Sequence, residues 1–182
     1  ALSTKKEREV SASRSFCVCR ASTAAICAAD GHFVEVVLAD AGRRSVAGLA
    51  VFLAAPEAAA GSVPQWRGLA GYSLAGLLSV YAPYQTDIFS RTASVSGSLW
   101  FDGLADFLQH APPTLPERAY FSVGDREKNS KNPRLACVET RTQAAQQLMQ
   151  ARGASSIFEL NPGGHFEHVP ARMARALEWL LA

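Results

Sequence analysis

Short apolar runs alternate with longer helix-periodic ones along the chain from Trp66 to its C-terminal end. The short runs are WRGLAG (66–71), RTASVSG (91–97), RAYFSVG (118–124) and SSIFELNPG (155–163). Each closes on Gly or a Pro-Gly turn, as a buried strand feeding a loop does. Between them the pattern predicts helices at Leu74 to Tyr81, at Phe101 to His110 and at Val138 to Ala151, the last stopped by Gly153. In the closing stretch HVPARMARALEWLLA, Val169, Met173, Ala176, Leu177 and Leu180 repeat at helical spacing. Arg172, Arg175 and Glu178 are expected on another face. Strand and helix in regular alternation predict an α/β fold, a mostly parallel sheet with helices on both faces.

Upstream of Trp66 the pattern weakens. HFVEVVLA (32–39) reads as a strand and VAGLAVFLAAPEAAA (46–60) as an apolar helix or strand-helix pair, with GLAVFLA (48–54) a further strand candidate. The first thirty residues show no period, and the Ala-rich tract at 54–60 is biased in composition rather than repetitive. So few strands before residue 66 predict an unpaired flank on the strand at 66–71. An apolar unpaired edge favours association, so either a marginally stable monomer or a self-associating species is expected, with residues 1–30 poorly ordered.

Composition narrows the class. At 182 residues the chain fits one domain, 1–182, with 1–55 atypical or incomplete. Hydrophobic residues at 48% against 19% charged exclude a disordered chain, and no apolar stretch is long enough for a membrane span. The net charge of +2 comes from interspersed residues, so no basic face points to nucleic acid. No export-signal pattern is recognised at the start, and a cytoplasmic location is expected. Cys17, Cys19, Cys27 and Cys137 form neither a disulfide framework nor a metal-ligand spacing, and are expected as buried free thiols. No metal and no cofactor are expected.

The candidate chemistry starts at GYSLAG. Ser73 stands at the seam of a predicted strand and helix, with Gly71 two before it and Ala75, then Gly76, after it. A strand-to-helix elbow of this kind exposes a serine hydroxyl and brings backbone N–H groups near it, and small flanking residues are needed because the turn is sharp. The usual fifth-position glycine is alanine here. The same spacing also suits a small residue at the start of an Ala-rich helix, so partners must decide.

In a serine-elbow fold the acid and then the base follow in chain order. His165, in LNPGGHFEH, follows a strand and a Gly-Gly turn, where a loop can carry an imidazole over the sheet edge. His168 is placed to cap the final helix, and His110 reads as a surface residue. The loop GDREKNSKNP offers Asp125 and Glu127 as the carboxylate that holds the imidazole tautomer. Glu127 is preferred because it lies far enough past Gly124 to turn back, whereas Asp125 can bind backbone N–H groups of its own turn. In the same neighbourhood Ser96, Ser98 and Trp100 could line an acyl or alcohol pocket, although a Trp at such a junction also suits core packing. Arg126, Lys128, Lys131 and Arg134 could attract an anionic substrate or simply be solvated. The direction of the Tyr72 ring is open.

The segments WRGLAGYSLAGLLSVYA, ASVSGSLWFDG, YFSVGDREKNSKNP and FELNPGGHF together resemble the serine esterases of the α/β-hydrolase superfamily, in the enterochelin-esterase-like branch, over residues 56–182. The resemblance implies a cofactor-independent ester hydrolase acting through an acyl-enzyme, with a small-molecule ester as its partner. It implies Ser73 as nucleophile, His165 as base, a carboxylate of the 124–127 loop as acid, and the Leu74 N–H as the first oxyanion donor. Residues 1–55 depart from the family's N-terminal part, so the second oxyanion donor is unassigned. The alternative reading is a weakly active or non-catalytic hydrolase-fold binding protein without a complete oxyanion site.

Overall fold

The computed structural model describes the backbone of three strands at 15–18, 24–29 and 32–37, and residues 65–112 and 115–182 in full. The strands are β1 (Ser15–Val18), β2 (Ala24–Ala29), β3 (His32–Val37), β4 (Arg67–Tyr72), β5 (Arg91–Val95), β6 (Arg118–Gly124) and β7 (Ser155–Asn161). The helices are α1 (Leu74–Tyr81), α2 (Leu104–His110), α3 (Pro133–Ala136), α4 (Val138–Ala151) and α5 (Val169–Leu181). The seven strands lie in one sheet in chain order. β1, β2 and β3 pair antiparallel, and β3 through β7 are parallel.

The helices cover both faces, as the alternation of side chains along each strand requires. Ala70, Tyr72, Ala93, Val95 and Tyr120 pack under Met173, Ala176, Leu177 and Leu180 of α5. The intervening residues Ala119 and Phe121 meet Ala145 and Met149 of α4, and Leu69 meets Ala75 of α1. Strands buried on both faces read as continuous apolar runs, which is why RGLAGY and RAYFSVG are legible from sequence. The predicted helices at 74–81 and 138–151 are present with those bounds. The one expected from Phe101 begins at Leu104, because Gly103, at φ 81°, turns the chain into it.

Two expectations are corrected here. The elbow strand β4 is not left with an open flank: β3 lies parallel beside it, with Phe33 opposite Arg67 and Val37 opposite Gly71. The first thirty residues, in which no period is visible, contribute β1 and β2 as an antiparallel extension of the sheet. A stretch such as AAICAA carries no alternation to betray a strand. The candidate at 48–54 lies outside the described residues.

In-register parallel strands end together. Tyr72 pairs with Val95, Val95 with Ser122, and Gly124 with Asn161, so the loops after β4, β5, β6 and β7 leave from one edge of the sheet. Ligand sites of open α/β sheets form at this carboxyl edge.

Candidate active site

Ser73 sits between β4 and α1 at φ 58° and ψ −118°, a backbone conformation that a non-glycine residue adopts only when its surroundings impose it. They do so here: the Ser73 N–H donates to the Val95 carbonyl at 3.1 Å, and its own carbonyl accepts from the N–H groups of Leu77 and Ser98. The turn is tight enough that a Cβ on Gly71 would stand 2.1 Å from the Ala75 carbonyl oxygen. Ala75 itself is buried against Leu69, Ala82 and Phe89, so a methyl at the usual glycine position has a place in the core. Because the obstacle at Gly71 is backbone, Gly71→Ala is expected to cost about 3 kcal/mol and to lower the melting temperature by roughly 6–12 °C. Thermal unfolding followed by circular dichroism checks this, and an unchanged midpoint would mean that the elbow can open.

His165, in the loop after β7, reaches Ser73 Oγ with Nε2 at 3.1 Å and Glu127 Oε2 with Nδ1 at 2.8 Å. The three residues selected from sequence therefore form one hydrogen-bonded chain, drawn from three loops at the same sheet edge. The imidazole is held from the side as well. Its ring centroid lies 5.2 Å from that of Tyr72 and 4.8 Å from that of Phe166, the latter edge-on at 86°. That contact settles the direction of Tyr72. Its buried ring supports the histidine, and burial pushes its phenol upward, with the Glu127 charge adding and the Arg172 charge opposing.

Glu127 opens a short 3₁₀ turn, and its side chain is nearly buried. Its second oxygen, Oε1, accepts from the Gly124 N–H at 2.7 Å and the Ser96 hydroxyl at 2.5 Å. Burial raises the proton affinity of this carboxyl, but the bonds from His165, Ser96 and Gly124 outweigh it and hold the group below the ordinary glutamate value. The loop bearing Glu127 and the loop leading to His165 are in close contact: a Cβ on Gly124 would lie 2.3 Å from the Gly163 carbonyl oxygen. Asp125, the alternative acid, turns instead to the Gly163 N–H at 2.8 Å and ties the two loops together. His168 precedes α5 without a side-chain cap, and the exposed His110 pairs with Asp106 in its own helix.

Leu74 is the first residue of α1, where a helix N–H has no intrahelical acceptor. Ser98 and Trp100 line a cavity of about 320 Å³ over Ser73, closed by Leu135, Val138 and Phe166. Ser96, grouped with them in the sequence reading as a pocket residue, is instead buried behind Glu127. Arg172 departs further from expectation. Placed by its charge on a polar face of the last helix, it is 4% exposed and lies beneath the site, donating to Ser96 Oγ and Asn161 Oδ1. Its position carried a signal: it stands four and eight residues before Ala176 and Leu180, on the apolar stripe. The expected cationic patch is largely neutralised. Arg126 pairs with Glu167, Lys128 with Glu139 and Arg134 with Asp102, while Lys131 is exposed and has no ion pair among the described residues. The described Cys137 is a free, half-buried thiol.

No protein-family model matches the chain. The uncharacterized protein YbbA of Bacillus subtilis is 28% identical over 125 residues, which are 64% of this chain and 50% of that protein. The chain thus spans half the length of the curated relative it matches. Among solved structures, siderophore hydrolase EstB from Aspergillus nidulans is similar with a TM-score of 0.55 at 18% identity, over 71% of this chain and 53% of that one. The enterobactin esterase FES from Shigella flexneri gives 0.53 at 22%, over 69% and 33%. An IroE-like serine hydrolase from Shewanella oneidensis gives 0.53 at 15%, over 72% and 47%. At these identities the likeness is one of fold, and the fold is that of the α/β-hydrolases.

Proposed function

We propose that this α/β-hydrolase-fold chain is a serine hydrolase that cleaves a carboxylic ester through an acyl-enzyme. The single observation that carries the reading is the hydrogen-bonded chain Ser73 Oγ, His165 Nε2, His165 Nδ1, Glu127 Oε2 at an elbow of positive φ. His165 takes the Ser73 proton through Nε2 as the hydroxyl oxygen attacks the ester carbonyl, while Glu127 keeps the proton on Nδ1 and balances the imidazolium that forms. The Leu74 N–H receives the oxyanion. The imidazolium then protonates the leaving alcohol. Water repeats the sequence, with His165 as base, to release the acid and restore the serine.

A fluorophosphonate tests this directly, since an activated serine hydroxyl attacks its phosphorus, forming a serine phosphonate ester as fluoride leaves. The probe is expected to label the protein with the modified peptide carrying Ser73; label on another residue, or none, overturns the reading.

The cavity walls argue for a neutral, apolar group beside the scissile bond rather than an anionic one. Trp100, Leu135, Val138 and Phe166 offer no charge, and three of the four nearby cations already have carboxylate partners. A carboxylate moved into such a wall loses hydration without a partner. The butyrate ester of p-nitrophenol is therefore expected to exceed the hemisuccinate ester in kcat/KM by about tenfold or more, the equivalent of ~1.4 kcal/mol. The opposite ranking would restore the anionic substrate.

A further inference from the structure

Arg172 has no part in the sequence described so far, yet it is among the few charged side chains buried in the described structure. It enters the site from below, on the first turn of α5. Its Nε donates to Asn161 Oδ1 at 3.0 Å, at the end of β7, and one terminal nitrogen donates to Ser96 Oγ, at the end of β5. That same nitrogen lies 3.5 Å from Glu127 Oε1, and the Ser96 hydroxyl donates a hydrogen bond to that oxygen. Thus Arg172, Ser96 and Glu127 form a continuous buried relay that ends at the His165 ring. Ser96 is itself held at φ 47°, a strained conformation fixed by its N–H bond to the Ser122 carbonyl, and its hydroxyl is engaged on both sides, by Arg172 and by Glu127.

An arginine in this place is costly. The site continues the apolar stripe of α5, a buried guanidinium needs an opposite charge, and its remaining terminal nitrogen has no hydrogen-bond partner. The titratable groups that face it are Glu127 from the turn after β6, Tyr72 from the end of β4, and His165 through Glu127. Asn161 and Ser96 are neutral. The nearby Arg126–Glu167 pair is exposed and internally compensated. Glu127 is therefore the carboxylate that faces Arg172, 3.5 Å from its guanidinium.

We propose that Arg172 is a positioning residue of the site, holding Glu127 ionised and aimed at His165 through the Ser96 hydroxyl and by its own charge. This rests on the reading of Ser73, His165 and Glu127 as a hydrolytic triad. Arg172 touches neither substrate nor the reacting atoms; it acts through Glu127, by geometry through the two bonds that fix its fork and by charge at 3.5 Å. With the guanidinium gone, the Glu127–His165 pair takes up a proton more readily, so the base is lost at a higher pH.

The rate at which a fluorophosphonate modifies Ser73, measured against pH, tests this without knowledge of the natural ester. Arg172→Met is expected to slow the reaction at neutral pH by roughly 10- to 100-fold, the scale of a misplaced catalytic group, and to move the acid limb of the profile to higher pH. Arg172→Lys keeps the charge but not the fork, and is expected to restore the acid limb while recovering only part of the rate. A purely structural arginine would alter the melting temperature and the amount of folded protein, not the pH limb of the folded fraction. Should Arg172→Met fail to fold, Ser96→Ala decides, since it breaks the same relay while leaving the charge: a slower reaction with an unmoved acid limb is expected, and an unchanged rate overturns the assignment. If the unaltered protein is not labelled at Ser73, the proposed function falls. If it is labelled, and Arg172→Met matches it in rate and profile, only the role of Arg172 falls.

Discussion

Ser73→Ala is expected to lower kcat for p-nitrophenyl butyrate by about 10⁶ while leaving the fold intact, and His165→Ala by a similar factor. Alanine adopts the elbow's φ of 58° with no more strain than serine, and the bonds that impose this conformation are made by backbone groups, so the turn survives the change. What disappears is the oxygen 3.1 Å from the imidazole, and with it the covalent route. The Leu74 N–H and the cavity remain, and about 10³–10⁴ of acceleration over water is expected to persist. The decisive measurement is the double variant. Groups that act as one unit lose their whole effect when either is removed, so the double variant is expected to be no slower than each single one. Losses that multiply would mean that Ser73 and His165 do not act on the same proton.

The next largest effect is expected from Glu127→Gln, about 10⁴ in kcat, with Asp125→Asn costing less than about tenfold. The geometry explains the asymmetry. In Glu127→Gln the amide oxygen is drawn to the Oε1 position, where the Gly124 N–H and the Ser96 hydroxyl both donate. The amide NH₂ then faces His165 Nδ1, and the ring must leave that nitrogen bare to accept from it. Its proton moves to Nε2, which points at Ser73 and can no longer take the hydroxyl proton. Asn at 125 still accepts from the Gly163 N–H through its amide oxygen, so the tie between the two loops is retained. A reversed ranking would transfer the acid's role to Asp125.

Stability carries a second sign of the same group. The folded Glu127 carboxyl titrates below its ordinary value, so the ionised form stabilises the fold at neutral pH. That contribution is complete above about pH 4.5 and is lost as pH falls through the lower folded value. The difference in denaturant midpoint between the wild type and Glu127→Gln is accordingly expected to shrink between pH 7 and pH 3. A difference independent of pH would mean that Glu127 is not held ionised by its donors.

Much of this site is readable in local sequence because its parts obey local rules. The strands at 67–72, 91–95 and 118–124 are buried on both faces and the one at 155–161 is a half-exposed edge strand, yet each is a short run ended by a turn, and the helices between them show their own period. Ser73, Glu127 and His165 follow each other in loops that parallel strands must deliver to one edge, whatever the exact packing. Three features depended on contacts between distant segments. The strands at 15–18 and 24–29 have no alternation of their own and gain their identity from pairing with a neighbour. The choice of Glu127 over Asp125 turns on which carboxylate meets the imidazole and which meets Gly163, a matter of where two loops touch across 38 residues of chain. Arg172 is the clearest case. Local sequence places a charged residue among polar neighbours, because charge favours water. Only the tertiary placement of α5 brings the Ser96 hydroxyl after β5, the Glu127 carboxylate after β6 and the Asn161 side-chain oxygen at the end of β7 around its guanidinium, and so makes that burial tolerable.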